Sequence, residues 1–340
     1  MNIICFSFIS ENNNNRKIQK NKPKISIFLP IFNKEKYLLN SIQSIQSQTL
    51  KEIEIVAVND CSQDNSLNIL NELTKNDTRI KIINNEENRG LLYSRAMGIL
   101  NSEGEYLLNL DPDDEFEGND NLEYLYKSTK NEQIDVIIFN TFFKSINRTN
   151  LKCSNFHHIQ HQPEIFLKAF NDSYRLDDYL IWNKLIRRDL YMKAYEIFKD
   201  KIYGKKWNFH EDNIWSILVH RYATSLRCVK KIAYIYNQYS DSLMKNRFNQ
   251  IDFNSLIYRH EMYMRLFNPI TEEKYIMTEI LLLFYYIIKV KELVKLIKEK
   301  EKNRKKIVDI LEYYLNANVG SELNQNLINK FLENIKTKKE

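Results

Sequence analysis

Short apolar runs alternate with amphipathic stretches through the first half of the chain. Ile25 to Ile31 (ISIFLPI) is apolar on both faces and stops at a turn, the pattern of a strand buried on both sides. Asn33 to Leu50 then carries Tyr37, Leu38, Ile42 and Ile45 at helical spacing, which predicts a helix with one apolar face. Ile53 to Val58 (IEIVAV) reads as a second strand. The segment Asn59 to Asn65 is turn and capping chemistry, opening a helix marked by Leu67, Leu70 and Leu73. Further strands are predicted over Arg79 to Ile83, Tyr106 to Leu110 and Asp135 to Phe139. Helices fall between them, through Leu92, Ala96, Ile99 and Leu100 and again over Leu122 to Ser128.

Strand then helix, repeated, with strands apolar on both faces, predicts an α/β fold: a Rossmann-like, mostly parallel sheet covered by helices on both sides. Ligands in such sheets bind beyond the carboxyl ends of the strands. Three polar turns follow strands directly and draw attention: Pro30 to Asn33, Asn59 to Ser62, and Asp111 to Asp114.

The middle, Asn140 to Tyr239, is less regular, with a last strand expected at Ile232 to Tyr236. From about Asp252 the pattern is helical, with helices over Tyr275 to Ile297, Ile307 to Leu315 and Leu323 to Ile335. The expected organisation is a disordered leader over 1–23, a folded domain over 24–240 in two halves that meet at 143/144, and a helical C-terminal region over 241–340.

Composition narrows the class. A net charge of +6 from 50 basic and 44 acidic residues is mild for 340 residues. It suits anionic small molecules and does not suggest a nucleic-acid partner. Cys5, Cys61, Cys153 and Cys228 are scattered with no C-x-x-C pair, so neither a disulfide framework nor a zinc site is expected. No run reaches the roughly 20 apolar residues of a membrane span, and Met1 to Ser10 lacks the basic start of a signal peptide. A cytoplasmic location follows as an expectation. The basic end of the Tyr275 to Ile297 helix reads either as a plain packing helix or as a peripheral contact with an anionic membrane. His157, His158 and His161 read as a surface loop, since no carboxylate or Cys nearby completes a metal set.

Asp111-Pro112-Asp113-Asp114 carries the sharpest chemistry. Three carboxylates in four positions repel one another unless a cation or hydrogen-bond donors neutralise them. A hard divalent ion with a substrate diphosphate would do so. An acidic loop is the other reading, since Glu115, Glu117 and Asp120 follow.

Context favours the ion. KISIFLPIFN (24–33), IEIVAVNDCSQDNS (53–66), NRGLLYSRAMG (88–98) and GEYLLNLDPDD (104–114) occur in this order, followed by IWNKL (181–185) and His210-Glu211-Asp212. The set resembles family 2 of the inverting glycosyltransferases, which have the A-type glycosyltransferase fold. The resemblance is strong over Lys24 to Phe143 and weaker to Tyr239. It implies a nucleotide-sugar donor, usually a UDP-sugar, an Mn²⁺ or Mg²⁺ cofactor, and a glycan or lipid-linked acceptor. Pro30, Phe32 and Asn33 then match the motif edging the nucleotide-base pocket, and Asp60 matches the aspartate that meets the base. Arg89 lies in the turn beside that pocket. Asp111 and Asp113 match the D-x-D pair at the ribose and the metal-bound diphosphate, with Asp114 beside them as a third metal-ligand candidate. Asp212 matches the general base. Lys184, in W-N-K-L, is carried over as a donor-side residue.

The family usually has D-D-G-S where this chain has Asn59-Asp60-Cys61-Ser62, so Cys61 replaces a glycine that often takes positive φ. Arg95-Ala96 replaces an R-N pair. Two rival readings remain. One is a non-catalytic member that keeps the fold. The other is a sugar nucleotidyltransferase, which would need a glycine-rich basic loop where Pro30-Ile31-Phe32-Asn33 stands.

Overall fold

The computed structural model describes residues 22–129, 133–144, 148–149, 159–160, 180–202, 211–237 and 239. The C-terminal helices, the three clustered histidines, Cys5, Cys153 and all but the last two residues of the proposed leader lie outside these residues. The strands are β1 (Ile25–Ile31), β2 (Ile53–Asn59), β3 (Ile80–Asn84), β4 (Tyr106–Asn109), β5 (Glu115–Phe116), β6 (Val136–Phe143), β7 (Arg148–Thr149), β8 (Ile159–Gln160), β9 (Lys184–Arg187) and β10 (Ser225–Tyr236). The helices are α1 (Leu38–Gln46), α2 (Ser66–Asn76), α3 (Leu91–Leu100), α4 (Asn121–Lys127), α5 (Arg188–Ile202) and α6 (Glu211–Tyr222).

One sheet runs in the order β3-β2-β1-β4-β9-β6-β10-β5, with β7 on β6 and β8 on β10. β3, β2, β1 and β4 are parallel, with Ile25 opposite both Ile53 and Tyr106. Every residue of β1 is buried, because helices cover both its faces. Ile27, Leu29 and Ile31 share a core with Leu38, Ile42 and Ile45 of α1. Phe28, on the other face, meets α3 at Gly98, where an added Cβ would stand 2.9 Å from Phe28 Cβ. Only a glycine lets that helix lie so close.

The chain crosses over between β1 and β4. A crevice opens at such a reversal of strand order, beyond the strand ends. β9, antiparallel to both β4 and β6, was not foreseen, and the W-N-K-L segment supplies it. α1 is shorter than its apolar pattern suggests. Asn33 takes φ 53, which no helix allows, and Gln48 leaves the helix to donate to Gly118 O at 2.8 Å. β10 is longer than expected. A register shift between Cys228 and Ile232 breaks its alternation, so only its last residues read as strand.

Candidate active site

The loops after β1 and β2 are laced together at the crevice. Asn33, in the left-handed conformation, accepts from the Gln63 N–H at 2.8 Å, and its own N–H donates to Ser62 Oγ at 3.1 Å. Lys34 N donates to Ser66 Oγ at 2.9 Å. Pro30 is buried inside β1 opposite Val58. Phe32, one residue past the strand, is 42% exposed, rare for a large apolar side chain in this fold.

Asp60 is buried at the end of β2. Its carboxylate accepts from Asn85 Nδ2 at 2.8 Å, Arg89 N at 2.9 Å and Gly90 N at 2.8 Å. The last two donors lie at the start of α3, where a negative charge is favoured by the helix dipole. Gly90 takes φ 89, which turns the chain into that helix. Asp60 thus fixes the loop beside the crevice whatever else it meets. The Arg89 guanidinium pairs with Glu87 at 2.7 Å and lies 4.9 Å from the centre of the Tyr93 ring. Cys61 takes φ 59, so it keeps the backbone of the glycine it replaces.

The three carboxylates after β4 have different surroundings. Asp111 Oδ1 accepts from Asn109 Nδ2 at 2.9 Å and from the Arg95 guanidinium at 3.1 Å. Asp113 Oδ2 meets Lys34 Nζ at 2.5 Å. Asp114 turns inward and is 2% exposed. Its Oδ2 accepts from the Tyr234 hydroxyl and its Oδ1 from Asn237 N, both at 2.7 Å. The Tyr234 oxygen in turn accepts from Asp111 N at 3.3 Å. Asn237 Nδ2 donates to Asp113 O at 3.1 Å, so the end of β10 holds the whole turn.

Burial raises the Asp113 carboxyl above the ordinary carboxylate range despite the pull of Lys34. Burial, with Asp113 and Asp111 nearby, raises Asp114 further, against its two donors. Asp111 and Asp113 keep partly exposed side chains, 23% and 18%. Two such oxygen donors suit Mg²⁺ or Mn²⁺ shared with a diphosphate. Among the described residues no group of three or more His, Cys, Asp or Glu side chains could hold an ion by itself.

Arg95 connects this turn to α6. The side chain is 3% exposed. Its Nε donates to Asn109 Oδ1 at 3.2 Å, one terminal nitrogen to Asp111, and the other pairs with Glu211. Burial opposes its charge, but Glu211, Asp111 and Asp212 outweigh that and hold the guanidinium firmly protonated. Asp212 follows Glu211 in the first turn of α6. Residues 111 and 211, far apart in the chain, are thus joined through one side chain. The reading of the sequence missed that role. The signal was present: Arg95 lies three residues after Leu92 and four before Ile99, on the buried face of α3.

The model of the family described as Glycosyl transferase family 2 matches residues 26–194. That segment is a glycosyltransferase family 2 domain. EpsH of Bacillus subtilis (strain 168), which carries the name glycosyltransferase, is 32% identical over 227 residues, covering 66% of this chain and 63% of EpsH. The chain therefore spans less than two thirds of that relative. Staphylococcus aureus TarS 1–349 in complex with UDP-GlcNAc superposes with TM-score 0.57 at 20% identity, covering 72% of this chain and 66% of that one. The mannosyltransferase PcManGT of Pyrobaculum calidifontis, in complex with GDP-Man and Mn²⁺, gives TM-score 0.52 at 10% identity, covering 94% and 88%. The fold is the expected A-type glycosyltransferase fold.

Within this glycosyltransferase family domain, Lys184 stands apart from the other candidates. It is fully buried on β9. Its ammonium donates to Leu180 O and to Asn183 Oδ1, the latter at 2.9 Å, in the turn that precedes the strand. That turn carries Trp182, whose ring lies 4.9 Å from Tyr234, the residue that holds Asp114. Cys61 and Cys228 form no disulfide with one another. Among the described residues no helix is long and apolar enough to cross a membrane.

Proposed function

We propose that this chain transfers a sugar, with inversion, from a nucleoside diphosphate donor to an acceptor hydroxyl on a glycan or a lipid-linked glycan. One observation carries the reading: the turn holding Asp111 and Asp113 and the helix start holding Asp212 are tied to a single buried guanidinium. Donor-side carboxylates and a candidate base then act on one substrate pair.

Asp111 and Asp113 would hold a divalent cation, which when bound neutralises the diphosphate as it leaves. Asp212 removes the proton of the acceptor hydroxyl as that oxygen attacks the anomeric carbon. It lies in the first turn of α6 and is partly exposed, open to an acceptor hydroxyl. One displacement inverts the anomeric centre. Uracil is the proposed base of the donor, supported by the resemblance at Asp60. The fold itself does not select it, since its neighbours hold either UDP-GlcNAc or GDP-Man. Cys61 at φ 59 supports the enzyme over a non-catalytic member, because the altered loop keeps its glycine-like backbone.

The test is single-turnover transfer with the UDP-sugar that the wild type consumes from a panel of such donors. Asp212→Asn keeps size and loses basicity, so donor binding should persist while transfer falls by a factor on the order of 10² or more. Normal transfer by Asp212→Asn would remove the base from this residue.

A further inference from the structure

We infer that Arg95 is a positioning residue that yokes the Asp111 turn to the start of α6, and that Glu211 is its buried anchor rather than a second base. The inference rests on the proposed transfer reaction and adds to it the parts that set its geometry.

Glu211 and Arg95 each have side chains only 3% exposed, and they face one another. Tyr191 and Trp215, both fully buried, pack ring to ring at 5.8 Å in the same interior. Phe28 meets Tyr191 at 6.0 Å. A substrate hydroxyl cannot reach a carboxylate enclosed in this way, so Glu211 is poorly placed to take its proton. Asp212, the next residue, is partly exposed. Neighbours on a helix do not share a face, which lets one carboxylate point into the interior while the other points out.

The fork geometry explains why the residue is arginine. One planar guanidinium serves three acceptors on two elements: Asn109 and Asp111 around the end of β4, and Glu211 at the start of α6. A lysine ammonium is a point charge and cannot hold this spread of directions. Stability does not require such a buried pair, since well-packed apolar side chains of similar volume commonly serve as well or better. What an apolar pair cannot do is grip Asp111. The Asp111 rotamer and the approach of α6 to the carboxylate turn are therefore set by the same side chain.

Four variants test this: Arg95→Lys, Glu211→Gln, Glu211→Met and the double Arg95→Met/Glu211→Met. UDP with Mn²⁺ is the binding probe, followed by calorimetry, and single-turnover transfer is the second readout. The double variant should melt within about 4 °C of the wild type. It should nevertheless bind UDP with Mn²⁺ at least tenfold more weakly, and its transfer should fall at least a hundredfold. Glu211→Gln keeps an acceptor for the guanidinium, so its transfer should fall less than tenfold, whereas Glu211→Met should fall far more. Arg95→Lys should resemble the double variant in binding. Wild-type UDP affinity in the double variant would overturn the inference, with or without measurable transfer. A Glu211→Gln variant as inactive as Glu211→Met would overturn the anchor role. If Asp212→Asn were active as well, the base itself would move to Glu211, a distinct failure.

Discussion

The Lys34 ammonium stands 2.5 Å from Asp113 Oδ2, so the more buried of the two candidate metal-binding carboxylates already carries a cation from its own chain. The Lys34 side chain also lies 6.0 Å from the centre of the Tyr37 ring, which stacks on Tyr239 at 4.0 Å. Lys34 therefore links the Asp113 carboxylate to the Tyr37–Tyr239 ring pair.

A divalent ion on this carboxylate must compete with the charge of the ammonium. On the proposed metal role, Lys34→Gln should bind Mn²⁺ severalfold more tightly than the wild type in the absence of nucleotide. Asp113→Asn should lose most of the dependence of UDP binding on the ion. Calorimetry with and without EDTA checks both. Equal UDP affinity in the two conditions for the wild type would rule out the metal role.

Folding should depend on pH through His220. Burial, and then the nearby Lys184 ammonium, push its imidazole down from 6.5 to about 3. Its Nδ1 lies 2.7 Å from Ser216 O. The folded chain therefore keeps His220 neutral while the unfolded chain takes up a proton below pH 6.5. The stability this lends is present above pH 6.5 and falls as the pH drops toward 3, by up to about 1.4 kcal/mol per pH unit. Asp113 and Asp114, raised by burial, pull in the opposite direction, so the comparison must be between variants. The expected result is a melting temperature that falls less between pH 6.5 and 4.5 in His220→Gln than in the wild type. Parallel curves would show that the imidazole is not held neutral.

Cys61 offers a test of loop strain. At φ 59 a side chain costs about 1–2 kcal/mol relative to glycine. Glycine returns about 0.4–1 kcal/mol of that through its freer unfolded chain. Cys61→Gly should thus be neutral or stabilising by up to about 1.6 kcal/mol. Cys61→Val, β-branched in the same conformation, should be clearly destabilising. Urea midpoints decide it, and a glycine variant clearly less stable than the wild type would mean that the thiol side chain itself holds the loop.

The parallel half of the sheet was legible in the chain because its signals are local. An apolar run such as Ile25–Ile31 needs no knowledge of its neighbours to be read as a doubly covered strand. Turn chemistry at Asn33, Cys61 and Asp111 lies directly after such runs, so strand ends and crevice could be inferred together. β9 was illegible for the opposite reason. It is four residues long and follows an irregular stretch, and only pairing with β4 and β6 makes it a strand.

Sequence by itself determined the strand and helix order, the family resemblance and the set of polar residues at the strand ends, since each depends on residue type and short spacing. Tertiary structure alone decided where those side chains point. Asp111, Asp113 and Asp114 are nearly identical as a motif. Packing against β10 turns Asp114 inward to Tyr234, while Asp111 is held by Arg95 and Asp113 by Lys34. Lys184, equally charged, ends buried on its own turn. The orientation of a charged side chain is set by the donors and acceptors that distant segments bring within about 3 Å, and no local pattern along the chain records which segments those are.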